Sequence, residues 1–341
     1  MKTNLWILIL VVVMALGACS RKEFAKSPVD TVFVLSNDRA VAEMQQAVDT
    51  VFSYGMRTPE FEPFFTTSWQ PLSDFKNYMN FKNLVVIADL NGEGLGRDIA
   101  RLALSDKQFQ LAESDSVFMF AVDDFWAIGQ TFILIAGKNF NLMRRNILEQ
   151  KGWLYEKVDT RFMTDQEHYI YHMMEEKKIT RQLWERYKWT IRVPHDYVIV
   201  REDSEQKFVW LGRSAPYRWL SVTWEKGIQT EWLTPNGLFN KRNEIGQMYQ
   251  NIQTNREFLG HKFTHFGDRD VLKMTGLWHH ETEAKGGPFI TYAFYDSHSD
   301  RTFVIDMMMF SPGAKSVVFM RQVEIVAKTF TTRFSEEMFQ P

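Results

Sequence analysis

The 341 residues carry 40 Lys and Arg against 42 Asp and Glu, a formal charge of −2, so there is no basic excess of the kind a nucleic-acid footprint needs. With 45% hydrophobic and 24% charged residues, and with 28 Phe, 11 Trp and 11 Tyr, the chain can fill a large core, which excludes disorder as its ground state.

Lys2 precedes an uncharged apolar run from Leu5 to Gly17 that ends in small residues. A transmembrane helix needs about 20 apolar residues, and this run is too short and has no basic stop on its far side. It is laid out as a signal peptide, 1–18, lost after Ala18. The order Leu16, Gly17, Ala18, Cys19 resembles a bacterial lipobox, in which the cysteine is acylated and becomes the first residue. Cys19 is also the only cysteine of the chain. Exported proteins normally use thiols in pairs, so lipidation is the expected use of a single one at a cleavage point. A triacylated Cys19 would anchor the chain stably to a membrane. Ser20 resembles the residue that lets lipoproteins pass to the outer membrane, so the expected location is the cell envelope, at the outer membrane and facing the periplasm.

Residues 19–30 read as the lipidated cysteine and a polar tether. Thr31 to Leu35 is a predicted strand, Asn37 caps a helix from Asp38 to Phe52, and Leu84 to Ala88 is a short buried strand. Strands are expected at Ser116 to Val122 and Gln130 to Ala136, then a helix at Asn139 to Glu149. Thr164 with Glu167 forms a capping-box pattern before a charged helix reaching Tyr187. Further strands are predicted at Trp189 to Val193, Tyr197 to Arg201, Phe208 to Leu211, Trp219 to Trp224, Lys273 to Trp278, Phe289 to Tyr295 and Thr302 to Phe310. Helices are expected at Asn236 to Ile252 and Ser316 to Phe330.

Thr131-Phe-Ile-Leu-Ile before a helix with Leu142-Met-Arg-Arg resembles Thr302-Phe-Val-Ile-Asp before a helix with Phe319-Met-Arg. The expected class is therefore α+β, with antiparallel sheets carrying helices on one face, in two similar halves. The halves are drawn at 31–160 and 191–341, joined by a helical segment at 161–190.

Gly276-Leu-Trp278 and Gly286-Gly-Pro-Phe289 resemble a family of Bacteroidetes lipoproteins catalogued as domain of unknown function 4837. The resemblance extends over most of the chain beyond Cys19. It includes Pro59-Glu-Phe-Glu-Pro63, Lys82-Asn83, Trp126 to Gln130, Val193-Pro194 with Tyr197, Phe208-Val-Trp-Leu211, Arg242-Asn243, and Arg321 with Glu324. Thr275 and Lys285 stand where arginine and methionine are usual in the family, and Lys82 replaces an arginine. Membership implies an envelope location and no established activity.

Several clusters have residue types that can carry chemistry. His280-Glu281 begins like a zinc-protease motif, but the second histidine one turn on is replaced by Ala284. His261, His265 and His280 with a carboxylate could hold a metal; the structural alternative is an exposed hairpin tip. His168 and His172 lie one helical turn apart, either as ligands or as a solvated face above a buried stripe of Ile170, Met173 and Met174. Gly92, Gly94 and Gly96 follow a strand but lack the dinucleotide spacing, which favours a turn. Paired carboxylates such as Asp123 with Asp124 or Glu281 with Glu283 arise by chance among so many acids. No Gly-x-Ser-x-Gly elbow is present.

These readings converge on an outer-membrane-anchored binding or scaffolding module with no catalytic residues, metal or cofactor assigned. Its partners are the membrane, through the lipid at Cys19, and an envelope protein or glycan; nucleic acid is excluded. The candidate binding residues are Trp278, His279, His280, Gly286 and Gly287, where two glycines and a proline shape a sheet entry beside an indole. The alternative is an envelope hydrolase, metal-dependent or not, drawing on His261 to Glu283.

Overall fold

The computed structural model describes residues 22–214 and 216–336. The signal peptide expected at 1–18 and the expected lipidation site, Cys19, lie outside the described residues. In chain order, β1 (Thr31–Ser36) leads into α1 (Asp38–Val51), then β2 (Gly55–Arg57), β3 (Phe61–Pro63), β4 (Thr66–Pro71), the short α2 (Phe75–Tyr78) and β5 (Asn83–Asp89). Next come α3 (Leu95–Ala103), α4 (Asp106–Glu113), β6 (Met119–Asp123), β7 (Thr131–Gly137), α5 (Phe140–Glu149), α6 (Lys151–Tyr171) and α7 (Lys177–Tyr187). The remainder is β8 (Val198–Asp203), β9 (Phe208–Arg213), β10 (Tyr217–Lys226), α8 (Pro235–Met248), β11 (Ile252–Phe266), β12 (Arg269–His280), β13 (Gly286–Asp296), β14 (Arg301–Phe310) and α9 (Val317–Lys328). Two compact units divide these elements: one takes the chain up to Thr50 and Thr67–Val158, the other Val51–Thr66 and everything from Asp159.

The first unit is built on a mixed sheet in the order β4-β1-β5-β7-β6, in which β1, β5 and β7 run parallel and β6 antiparallel to β7. Parallel neighbours need long crossovers, and helices supply them. Leu84, Val86, Ala88, Phe132 and Leu134 pack against Ile99 and Ala100 of α3 and Phe109 of α4. The alternate residues Val85, Ile87, Ile133 and Ile135 are equally buried, and α5 contacts β7. Asn37 and Asn139 start α1 and α5 as N-caps, accepting from Ala40 N (2.8 Å) and from Asn141 and Leu142 N (3.0 and 3.2 Å). Residues 23–26, assigned by sequence to a free tether, are pinned to this unit: Ala25 N donates to Ile128 O at 2.7 Å, Ile128 N to Glu23 O at 2.8 Å, and Lys26 N to Asn80 O at 3.0 Å.

The second unit is a seven-stranded, wholly antiparallel sheet in the order β11-β12-β13-β14-β10-β9-β8. β14 is its central strand and is buried on both faces, which explains why Thr302 to Met309 reads as an almost continuous apolar run. Ile305, Met307 and Met309 face α9, through Met320, Val323 and Val326. Val304 and Met308 face α8, through Leu238, Phe239 and Ile245. The α+β class holds, with two corrections: the sheet of the first unit is mixed where antiparallel sheets were expected, and both faces of this second sheet carry helices where one covered face was expected.

Three local expectations also change. Thr164 is no cap; it sits inside α6, its hydroxyl bonded to Thr160 O at 3.0 Å, the back-bond that satisfies a mid-helix threonine. Trp189 to Val193 is not a sheet strand and makes only an isolated bridge, Thr190 to Thr331. β11, fifteen residues long, was not foreseen, because it is an edge strand with a register shift between Asn255 and Gly260 and so lacks alternation. Among the described residues no helix is long and apolar enough to cross a membrane.

Within β14, Asp306 is fully buried and meets Arg242 of α8 at 3.0 Å, the two side chains being 0% and 1% exposed. Removing one partner strands the other charge, so Asp306→Leu is expected to cost about 3–5 kcal/mol, whereas Arg242→Met with Asp306→Leu recovers most of that loss. Urea unfolding of the two single variants and the double variant checks this; additive losses would contradict it.

Candidate functional site

The residues singled out by sequence meet at one end of the β12–β13 ladder, where Trp278 pairs with Gly287 and His279 with Gly286. A cleft of about 400 Å³ opens there, lined also by Pro59 and Asn255. Trp278 is not a ligand platform: it is 2% exposed, and its indole N–H donates to Met309 O at 3.1 Å, two strands away. Gly287 explains that reach. A Cβ on it would collide with Met309 O and stand 3.2 Å from the Trp278 indole nitrogen, so only glycine lets the ring cross β13. Gly286 is likewise confined, since a Cβ there would come within 2.7 Å of Trp278 O.

His280 spends its ring on the turn: Nδ1 accepts from Thr282 N (3.2 Å) and Glu283 N (3.1 Å). Its neighbour His279 is exposed. The other histidines are elsewhere. His261 pairs with Met274 and His265 with Asp270, six and ten residues along β12 from His280, or about 20 and 33 Å at strand rise. Among the described residues no three His, Cys, Asp or Glu side chains are placed to hold a metal. His168 and His172 are exposed, and so are Met173 and Met174, which form no buried stripe. The glycine turn after β5 is closed by its own side chains: Asp89 accepts from Asn91 N at 2.9 Å, and Arg97 donates to Leu90 O (2.9 Å) and Glu113 (2.7 Å).

A second cleft, about 370 Å³, was not foreseen as a site. The β2–β3 hairpin forms one wall because Glu62 accepts from Ser316 N (2.8 Å) and Val317 N (3.0 Å), so a carboxylate from β3 caps α9, whose own Ser316 side chain does not. Tyr54, Phe61, Phe64 and Phe258 supply aromatic surface, with Arg57 stacked 5.0 Å over Phe258. Gly276, Thr275 and Ile290 line the sheet side. The polar end is Glu324, held by Lys273 at 2.6 Å and by the Tyr292 hydroxyl. Burial pushes the Glu324 carboxyl up, but the Lys273 and Lys328 charges and the two hydrogen bonds outweigh it and hold it at about 2. Tyr292 is pushed up by burial and by the adjacent Glu324 charge. Near neutrality this acid is therefore ionised and the Tyr292 hydroxyl keeps its proton, so neither is poised for proton transfer there. The available signal was a charged pair three residues apart in the largely apolar α9 sequence; Arg321 and Glu324 enter the sequence reading only through their family resemblance.

Another cleft, about 450 Å³, is rich in acids, but they are paired. Asp296 accepts from Arg269 Nε (3.0 Å), Ser299 (2.7 Å) and Thr332 (2.8 Å).

Residues 175–329, less than half of the chain, match the family model described as Domain of unknown function (DUF4837), the family the sequence resembles. The resembling residues at 59–63, 82–83 and 126–130 lie outside that match. No curated protein matches the chain. Solved structures similar to it include a protein of Bacteroides thetaiotaomicron (9% identity, 43% of this chain and 46% of that one, TM-score 0.26). They also include the Saccharomyces cerevisiae Ran-binding protein Mog1p (10%, 45% and 94%, 0.31) and LpqN, involved in cell envelope biogenesis of Mycobacterium tuberculosis (11%, 42% and 82%, 0.27). The chain spans under half the length of the first of these, and similarity this low carries no functional argument.

Two outcomes follow. Gly287→Ala is expected to cost about 1–3 kcal/mol and to red-shift indole emission as Trp278 is driven off Met309; denaturant midpoints and fluorescence check this, and an unchanged midpoint contradicts it. The lowered carboxyl of Glu324 gives stability that is present above pH 4.5 and lost as pH falls toward 2, on the order of 3 kcal/mol. Glu324→Gln should therefore flatten the acid limb of stability against pH in that window; parallel limbs in the two proteins would refute the assignment.

Proposed function

We propose that this chain is a cell-envelope lipoprotein, lipidated at Cys19 and held at the periplasmic face of the outer membrane, that works by binding another envelope component and not by catalysis. The observation that carries this reading is the cleft beside the β2–β3 hairpin. Aromatic walls and a fixed Lys273–Glu324–Tyr292 cluster make a preformed recognition surface, with a volume suited to a peptide segment or a few sugar rings. The hydrolase alternative loses its main support, since His261, His265 and His280 are spread along one strand pair.

The pinned N-terminal segment supports a close anchor. Phe24, which bridges Ile128, follows so soon after Cys19 that a lipid there would hold the first unit within about 17 Å of the bilayer. Phe24 is 73% exposed between Lys22 and Lys26, a pattern suited to an interfacial position beside headgroups.

The test is fractionation with crosslinking in intact cells. The wild-type chain should resist carbonate extraction and Cys19→Ser should become soluble; a variant that stays in the membrane pellet sinks the anchor. Phe61, 55% exposed on the cleft wall, can be truncated at little cost in stability. Phe61→Ala should keep the membrane location and lose the crosslinked envelope partner, and an unchanged crosslink would remove the cleft from the proposal.

A further inference from the structure

A smaller cavity of the second unit, about 200 Å³, is lined from the end of α6, the turn before β8, and β9 and β10. Arg218 of β10 faces it and is 7% exposed. A guanidinium keeps its charge at any ordinary pH, so a buried one needs compensation. This chain supplies little. Nη1 donates to the neutral Gln322 amide at 2.7 Å, and that amide is itself tied to Gln166 at 2.7 Å. The Phe319 ring lies 4.6 Å away, and Nε has no hydrogen-bond partner.

The surrounding charges make the imbalance worse. Arg213 lines the same cavity, and its buried Nε is also without a partner. Asp196 is the acid that acts on Arg218, but it is committed to Arg213 at 2.8 Å. It sits in the turn before β8 with a left-handed φ of 76°, which aspartate tolerates. With Asp196 set against Arg213, the cavity keeps one uncompensated positive charge. Tyr197 lines it too, 4% exposed, and burial pushes its hydroxyl up to about 12, so it remains a neutral donor. The histidines at the rim, His172 and His195, add no negative charge.

We propose that this cavity binds a small oxyanion, a carboxylate or a phosphate group, through Arg218, Arg213 and Tyr197. The surplus charge selects an anion, planar guanidinium donors match carboxylate and phosphate oxygens, and the volume admits the anionic group with few further atoms. The site is separate from the aromatic cleft, so it stands or falls independently of the function proposed for that cleft.

The intact chain, purified in detergent, would be titrated with inorganic phosphate and separately with acetate, against chloride at matched ionic strength. The expected result is saturable binding of one oxyanion per chain in equilibrium dialysis and a rise of several degrees in Tm that chloride does not give. Whichever anion saturates at the lower concentration identifies the source. Arg218→Gln should abolish both effects and, having lost an uncompensated charge, unfold no earlier than the anion-free wild type. An anion-dependent rise that persists in Arg218→Gln, or none beyond chloride in the wild type, overturns the proposal. Should Arg218→Gln fail to fold, Arg213→Gln must weaken binding at least tenfold, and unchanged affinity is equally fatal.

Discussion

The buried pair of Arg242 and Asp306 ties four elements of the second unit, α8, β11, β13 and β14, to one point. Asp306 sits in the middle of the central strand, and Arg242 brings α8 down onto it. The same guanidinium donates to Thr254 of β11 at 2.6 Å and lies 3.6 Å over the Phe289 ring of β13. Thr291, opposite Asp306 in the ladder, donates its hydroxyl to the same carboxylate. Sliding β13 by one residue would turn Thr291 to the other face and leave the charge under-bonded. An apolar pair could fill this space, but it would accept several registers; the ionic pair accepts one. Asn243, next in sequence, extends the link by accepting from Thr254 N at 3.0 Å.

Three buried charged groups in this unit show what burial does under different degrees of compensation. Burial raises the Asp306 carboxyl in spite of Arg242, because both partners are dry. At Glu324 the balance goes the other way, since two lysines and a tyrosine hydroxyl converge on one carboxylate. Arg218 has only a neutral amide and a ring. In the first two, each charge meets an opposite charge of its own chain, although Arg242 Nη2 and Asp306 Oδ2 make no hydrogen bond. The third lines a cavity with its nearest acid already paired to Arg213, and that lack of an opposite charge, not the degree of burial, separates it from the other two.

Much of the fold was legible because it is written in apolar periodicity. The continuous runs of β5, β7 and β14 and the starts of α1, α5 and α8 stand nearly where the sequence puts them. What was hidden either lacks that periodicity or is held by contacts remote in sequence. β11 is an edge strand on which Arg256, Glu257, Lys262 and His265 are all exposed, and β2 and β3 are three residues each, held by Glu62 on α9. The parallel pairing of β1, β5 and β7 could not be read from the strands singly. The candidate site was legible only as a feature: Gly286, Gly287 and Trp278 do act together, but to pass an indole across a strand. The polar clefts went unseen because Lys273 and Glu324 are 51 positions apart and meet only through the fold.

That outcome bears on what a family resemblance in this chain can mean. Among the residues that carry it, Trp278, Gly287, Phe289, Arg242 and Glu324 are buried, and Trp278, Arg242 and Glu324 are already bonded to their own chain. They specify a frame, and a frame can be shared by proteins that bind different things. Selectivity must then come from positions where the frame leaves side chains unspent. Thr275, standing where the family's usual residue is an arginine, lines the aromatic cleft, and Lys285, in place of a methionine, lines the cleft at the β12–β13 end. A longer cation at position 275 would stand beside Lys262 and Lys273 and change the charge offered to a ligand. Threonine leaves that wall short and neutral, so the aromatic rings are more accessible here than an arginine would leave them.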